Sequence, residues 1–269
     1  MSGFAAEWLA VREPVDRRAR NAAVLDATTD AFAALSSISV VDLACGTGAT
    51  MRAIASRLPR RQNWRLVDND LSLLARVPVP ERTADLSVTT LPIDLNHDLE
   101  AALDGPVDLV AMSALLDLVS TAWLDRLVVE AAARRLPVYA ALTYDGTVTL
   151  DPVDPRDAAI VDAVNRHQQS NKGFGPALGP QAATAAISGF ERAGYSLRHG
   201  RSDWALGARD REMQNEVLAG WSSAARQTDA LPLPDILDWL THRRDLVASG
   251  RSSMRIGHLD FFAAPSTTR

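Results

Sequence analysis

Five short apolar runs recur at residues 38–43, 63–67, 86–91, 107–112 and 137–142, and each gives way to a turn rich in small or acidic residues. Between them, apolar residues return at helical spacing. Met51, Ile54 and Leu58 form one such set, Leu71, Leu74 and Val77 a second, and 99–103 a third. Trp123, Leu124, Leu127 and Val128 share one face of a longer helix over 121–136. Strands that alternate with helices in this way predict a doubly wound, mostly parallel α/β sheet.

The remaining segments add helices and strands around that sheet. Two helical patterns occupy 4–35, with Pro14 expected to start or divide a helix. Pro78 and Pro80 stop the short helix near 71–77. After residue 150 the pattern predicts helices at 157–169, 181–193, 209–226 and 234–248. Strands are expected near 195–206 and 254–264. The connection 171–180 holds three glycines and two prolines, the composition of a loop.

Composition excludes several classes of function. Net charge is −5, and the arginines are scattered among acids, so a polyanion-binding surface is not expected. The single cysteine, Cys45, excludes an internal disulfide and a cysteine-based metal site. His97, His199, His242 and His258 have no metal-ligand spacing and read as structural or exposed. The first twenty residues lack the apolar core of a signal peptide, and no run is long enough to span a membrane. The expectation is a cytoplasmic protein with a small-molecule substrate, no nucleic-acid or membrane partner and no metal.

The turn after the first strand, Asp42-Leu43-Ala44-Cys45-Gly46-Thr47-Gly48, carries the chemistry. Glycines between a strand and a helix let the backbone approach a nucleotide-like ligand beside unpaired helix N–H groups. Counting the dinucleotide pattern G-x-G-x-x-G from Gly46 puts Met51 where the third glycine belongs, and no phosphate-loop Gly-Lys-Ser/Thr follows. An acid at the end of the second strand, Asp68, is placed to accept ribose hydroxyl bonds, with Asp70 as its competitor.

Together these residues resemble the class I S-adenosylmethionine-dependent methyltransferases over about residues 38–145. Ala44 stands where that family's motif usually has its first glycine, which suits a negative φ. The resemblance implies a seven-stranded sheet and a cofactor cradle made by Asp42, Ala44, Cys45, Gly46 and Gly48. It puts Asp68 and Asn69 at the ribose, Asp94 and Leu95 at the adenine, and Ser113 near the methionine end. Either Arg12 or Arg20 is expected to fold over the cofactor and pair with its carboxylate. Residues 1–37 are expected to form a helical cap. Residues 38–269 then form the cofactor-binding domain, with helical insertions at about 151–180 and 207–250.

The implied reaction is methyl transfer from S-adenosylmethionine to an O or N nucleophile on a small or medium polar acceptor. Asp117, Tyr144 and His167 are the candidate bases. The loop 171–180, with Lys172 and Phe174, is a candidate lid. Trp204, Trp221 and Trp239 read as core. Two alternatives are a non-catalytic cofactor-binding or scaffold protein and an NAD-dependent oxidoreductase, the latter opposed by Met51.

Overall fold

The computed structural model describes residues 5–78, 85–228 and 231–266. Pro80 lies outside them. Five parallel strands form one half of the sheet: β1 (Ser37–Leu43), β2 (Arg61–Asp68), β3 (Leu86–Pro92), β4 (Leu109–Ser113) and β5 (Val138–Asp151). β6 (Tyr195–Arg201), β7 (Trp204–Leu206) and β8 (Ser253–Pro265) complete it. The order is β3-β2-β1-β4-β5-β8-β6, with the short β7 paired to β8. β8 runs antiparallel to β5, β6 and β7. The sheet thus has eight strands, because the segment expected as one strand over 195–206 breaks after Arg201.

Successive side chains on a strand point to opposite faces, and both faces are buried. Val40, Leu109, Ala111 and Tyr139 join one core, while Val41, Val110, Met112 and Val138 join the other. Ten α-helices flank the sheet among the described residues: α1 (Ala6–Ala19), α2 (Ala22–Phe32), α3 (Ala49–Ile54), α4 (Leu71–Leu74), α5 (Leu99–Ala102), α6 (Thr121–Arg134), α7 (Asp157–Gln168), α8 (Ala182–Arg192), α9 (Arg211–Gln227) and α10 (Leu233–Ala248). Ser120 caps α6 by accepting from Trp123 N at 3.2 Å, and Asp70 caps α4 by accepting from Ser72 N at 2.8 Å. No described helix is long and apolar enough to cross a membrane.

Two local expectations change. Pro14 neither starts nor divides a helix but sits inside α1. It is on the exposed side, where the carbonyl it leaves unpaired can turn to water. β5 does not stop near residue 142. It continues to Asp151 through two register shifts against β8, because β8 offers an antiparallel partner along that whole length. The two N-terminal helices also divide: α1 contacts β7 and α9, whereas α2 packs on β6 and β8. Phe32 of α2 meets Phe262 of β8 edge to face, with ring centroids 6.3 Å apart.

Candidate active site

The strand order reverses between β1 and β4, and ligands in open α/β sheets bind outside the strand ends at such a point. A cavity of about 210 Å³ lies there, lined by the loops that leave β1, β2, β3 and β4. Ala44, Cys45 and Gly46 come from the first loop, Asp68 and Asn69 from the second, Asp94 and Leu95 from the third, and Ser113 from the fourth. Eight of the sequence-selected residues therefore meet at one wall. Leu9 and Arg12 of α1 also line it.

The loop carboxylates of this cavity are held by groups of their own or an adjoining loop. Asp68 Oδ2 accepts from Gly46 N at 2.8 Å and Oδ1 from Asp70 N at 3.0 Å. The first bond ties the β1 turn to the end of β2. Asp70, the competing candidate, is engaged in capping α4. Asp94 accepts from Asn96 N and from the His97 ring, each at 2.9 Å, and the His97 bond holds its carboxyl below the usual range. Asp68 keeps lone pairs beyond those two bonds, so a ligand hydroxyl still has an acceptor.

Three expected cofactor residues lie behind this wall. Gly48, at φ +82°, is the N-cap of α3. Asp42 is fully buried, and burial pushes it up to about 7 against the opposing pull of Arg20 and Thr50. Arg20 is buried too. It donates to Tyr139 Oη at 2.9 Å and to Ser113 Oγ at 2.8 Å, so it braces the wall from behind. Arg12 is the arginine at the surface of the cavity, because its position on α1 faces the strand ends. Cys45 is buried, and burial raises its thiol, so it is no nucleophile.

A second cavity of about 930 Å³ adjoins the first, and Arg12, Ala114, Leu118, Lys172 and Gly173 line both. All three candidate bases, Asp117, Tyr144 and His167, line the larger one. Their states differ. Asp117 is buried with Oδ1 unpartnered, and burial raises it to about 6. Tyr144 is buried and donates to Asn165 Oδ1 at 2.8 Å, while burial pushes its phenol upward. Burial therefore favours the protonated phenol, a poorer base than a carboxylate or imidazole. His167 Nδ1 faces Lys172 Nζ at 3.1 Å, and its Nε2 faces Gln227 Oε1 at 3.2 Å. An ammonium only donates, so Nδ1 accepts and Nε2–H donates. Burial and the nearby Lys172 charge lower the His167 pKa.

The larger wall also holds side chains that the sequence reads as core or structural. His258, expected as structural or exposed, is buried and lines the cavity. Its Nδ1 lies 3.0 Å from Ile256 O and therefore carries the hydrogen, leaving Nε2 an acceptor. Burial lowers its pKa to about 4. His258 pairs in register with Tyr144, a relation that only the β5–β8 pairing reveals. Trp204 and Trp221 line this wall as well, whereas Trp239 is core and bonds Asp157. The loop expected as a lid carries Lys172 and Gly173 to both walls and is pinned by Phe174 packing on Trp123 at 5.5 Å.

Backbone strain gathers at the same place. Only four described non-glycine residues have positive φ: Ala44, Ala114, Arg135 and Leu142. Ala44, Ala114 and Leu142 sit at the ends of β1 and β4 and at the first shift in β5, and each lines a cavity. The negative φ expected for Ala44 is thus corrected to +52°. The chain must turn sharply there to expose backbone to the cavity, even without glycine.

No family model matches the chain, and no curated protein matches it in sequence. Solved structures do share its fold. A cyclopropane-fatty-acyl-phospholipid synthase-like protein from Lactobacillus casei gives a TM-score of 0.56 at 13% identity, covering 97% of this chain and 94% of that one. A protein from Anaeromyxobacter dehalogenans, provisionally described as a type II methyltransferase, gives 0.51 at 16% identity, covering 91% and 96%.

Proposed function

We propose that this chain, whose fold is that of the class I methyltransferases, transfers a methyl group from S-adenosylmethionine to a small or medium polar acceptor. The observation that carries this reading is the junction of the two cavities. A cradle at the strand ends opens beside a larger chamber, and Arg12, Ala114, Lys172 and Gly173 border both. Methyl transfer needs two ligands brought end to end, and adjoining cavities supply that alignment.

The residues of the smaller cavity suit the cofactor. Gly46 has φ +54°, and a Cβ there would lie 3.0 Å from Leu9 Cδ1 and reduce the space between turn and α1. Asp68, with Asn69 beside it, would accept the ribose hydroxyls. Asp94 and Leu95 would border the adenine, Ser113 the methionine end, and Arg12 its carboxylate. When bound, S-adenosylmethionine supplies a methyl group already activated by a sulfonium. The protein then has to orient the acceptor, exclude water and take up a proton where the acceptor loses one. The larger chamber is bordered by α1, by the 171–173 loop and by α9. In this reading the cap at 1–37 and the insertions at about 151–180 and 207–250 shape the acceptor chamber, while Leu9, Arg12 and Lys172 also border the cofactor.

Calorimetric titration with S-adenosylhomocysteine tests the cradle, with NADH as the comparison. We expect binding of the first and none of the second; preference for NADH would replace this reading by an oxidoreductase. S-adenosylhomocysteine released from S-adenosylmethionine on adding small-molecule extracts tests catalysis. Binding without turnover across extracts would favour a cofactor-binding scaffold.

A further inference from the structure

The larger cavity combines an aromatic wall with one uncommitted cation. Trp8 and Trp204 stand edge to face with centroids 6.4 Å apart, and Trp204 lies 4.6 Å from the His258 ring. Tyr144 meets His258 edge to face at 6.0 Å, and Trp221 borders the same space. Arg12 covers one face of Trp8 at 5.9 Å and one of Trp204 at 5.0 Å, so the wall offers a flat ligand the remaining faces and C–H edges. Two cations border both cavities, and they differ. Arg12 is engaged: it pairs with Asp16 at 2.8 Å and lies over the Trp204 ring at 5.0 Å. Lys172, the only lysine in the sequence, has no ion pair within the described residues. Its one hydrogen-bond partner among the described residues is His167 Nδ1, a neutral acceptor. The half-buried ammonium therefore faces the junction with its charge uncompensated by direct contact. Asp117, on the same wall, attracts it from farther away.

We infer that the methyl acceptor is a flat aromatic acid. Its ring lies among Trp8, Trp204, Trp221 and His258, and its carboxylate or phenolate oxygen pairs with Lys172 at the junction of the two cavities. This deepens the methyltransferase reading and rests on it. A nearby cation favours the ionised form of an acid, so the acceptor binds as an anion with its proton left in solvent. An oxygen lone pair of that anion forms the O–C bond while the C–S bond breaks and its electron pair stays on sulfur. The anion and the sulfonium leave as a methyl ester or ether and a neutral thioether. No general base is required, and Lys172 is the residue that selects for charge.

Because the sequence has no other lysine, acetylation followed by peptide mass analysis reads Lys172 alone among side-chain amines. The full chain, saturated with S-adenosylhomocysteine, is acetylated in the presence of 2-naphthoate, 2-naphthamide or decalin-2-carboxylate, with the α-amino group as reagent control. We expect 2-naphthoate to protect Lys172 at concentrations at least about ten-fold lower than the other two, the factor a lost ion pair or aromatic contact of about 1.4 kcal/mol produces. Equal protection by the amide overturns the role of charge. Equal protection by the saturated acid overturns the aromatic wall, and no protection by any probe overturns both. S-adenosylhomocysteine binding is measured on the same samples. Its failure overturns the methyltransferase reading and this inference with it, whereas binding with unselective protection overturns the acceptor class alone.

Discussion

The smaller cavity takes most of its polar groups from loops that leave four neighbouring parallel strands, with Arg12 and Asp16 of α1 and Lys172 at its rim, whereas the larger one draws on α1, α7, α9, β5 and β8. Their electrostatics differ in the same sense. Asp68, Asp70 and Asp94 each accept from backbone N–H groups of their own or an adjoining loop. Across the junction, and among the described residues, Asp117 keeps an unpartnered oxygen and Lys172 has only a neutral imidazole. The cradle is a set of groups fixed before a ligand arrives, which suits one invariant ligand. The chamber leaves charges for its ligand to answer, and its shape follows side chains rather than strand geometry.

The sharpest way to break this contrast is Gly46→Val. Valine would have to adopt φ near +54° with a β-branched side chain, and its Cβ would press on Leu9. We expect cofactor binding to fall more than about a hundred-fold, equivalent to about 3 kcal/mol. The variant should still bind a chamber ligand such as 2-naphthoate. Titration of both ligands into folded variant checks this, and loss of both together would make the cavities one cooperative site.

Asp68→Ala comes next. It removes the proposed ribose acceptor together with the tie to Gly46 N. Charged hydrogen bonds of this kind are worth about 1.5–3 kcal/mol, so affinity for S-adenosylhomocysteine should fall about ten- to hundred-fold. Asp70→Ala should instead lower thermal stability by loss of the α4 cap and change affinity little. Calorimetry on the pair distinguishes the two acids, and the reverse pattern would move the ribose contact to Asp70.

The chamber is probed by pH. Asp117 has Arg12 and Lys172 as its nearby cations, yet burial dominates and raises it from 3.8 to about 6. Between those values the folded chain holds a proton that the unfolded chain has released, so stability falls as pH rises through the window. Asp117→Asn removes that penalty. At pH 8 the variant should be more stable by at most about 2 kcal/mol, since two pKa units correspond to roughly 2.7 kcal/mol and the amide has its own unmet hydrogen bonds. Near pH 4 the gain should vanish. Urea unfolding at both values checks it, and a gain independent of pH would mean Asp117 is not the titrating group.

These contrasts also explain what was legible in the chain. The β1 turn, Asp68 and Asp94 announce themselves because each lies within a few residues of a strand end, and strand ends converge in a parallel sheet. Five strands were visible from local periodicity for the same reason. The chamber was not visible as a unit. Trp8 and Trp204 are far apart in sequence and meet only because α1 packs on β7. His258 reaches the site through its register with Tyr144, and period-two burial alone cannot separate a cavity-facing histidine from a core one. Arg20 and Arg12 were equal candidates on one helical segment. Only the docking of α1 decides which faces the cavity.

The smallest expected effects concern the strained turns. An L-residue in the left-handed region costs roughly 1–2 kcal/mol, and glycine relieves that at an entropic cost of about 0.5–1 kcal/mol. Arg135→Gly, at the C-cap of α6, should therefore stabilise the protein by less than about 1 kcal/mol and leave ligand binding unchanged. Ala44→Gly and Ala114→Gly should give a similar gain in stability, because their φ values of +52° and +50° match the +53° of Arg135. Their consequences for binding separate the cavities. Ala44 borders only the cradle, so Ala44→Gly should change S-adenosylhomocysteine affinity by no more than a few-fold and 2-naphthoate affinity not at all. Ala114 borders both, and loosening it should weaken both ligands, since its turn fixes the junction. Thermal melts set beside the two titrations read these outcomes. If Ala114→Gly gains stability without loss of either affinity, the strain at the end of β4 belongs to the fold and not to the alignment of the two ligands.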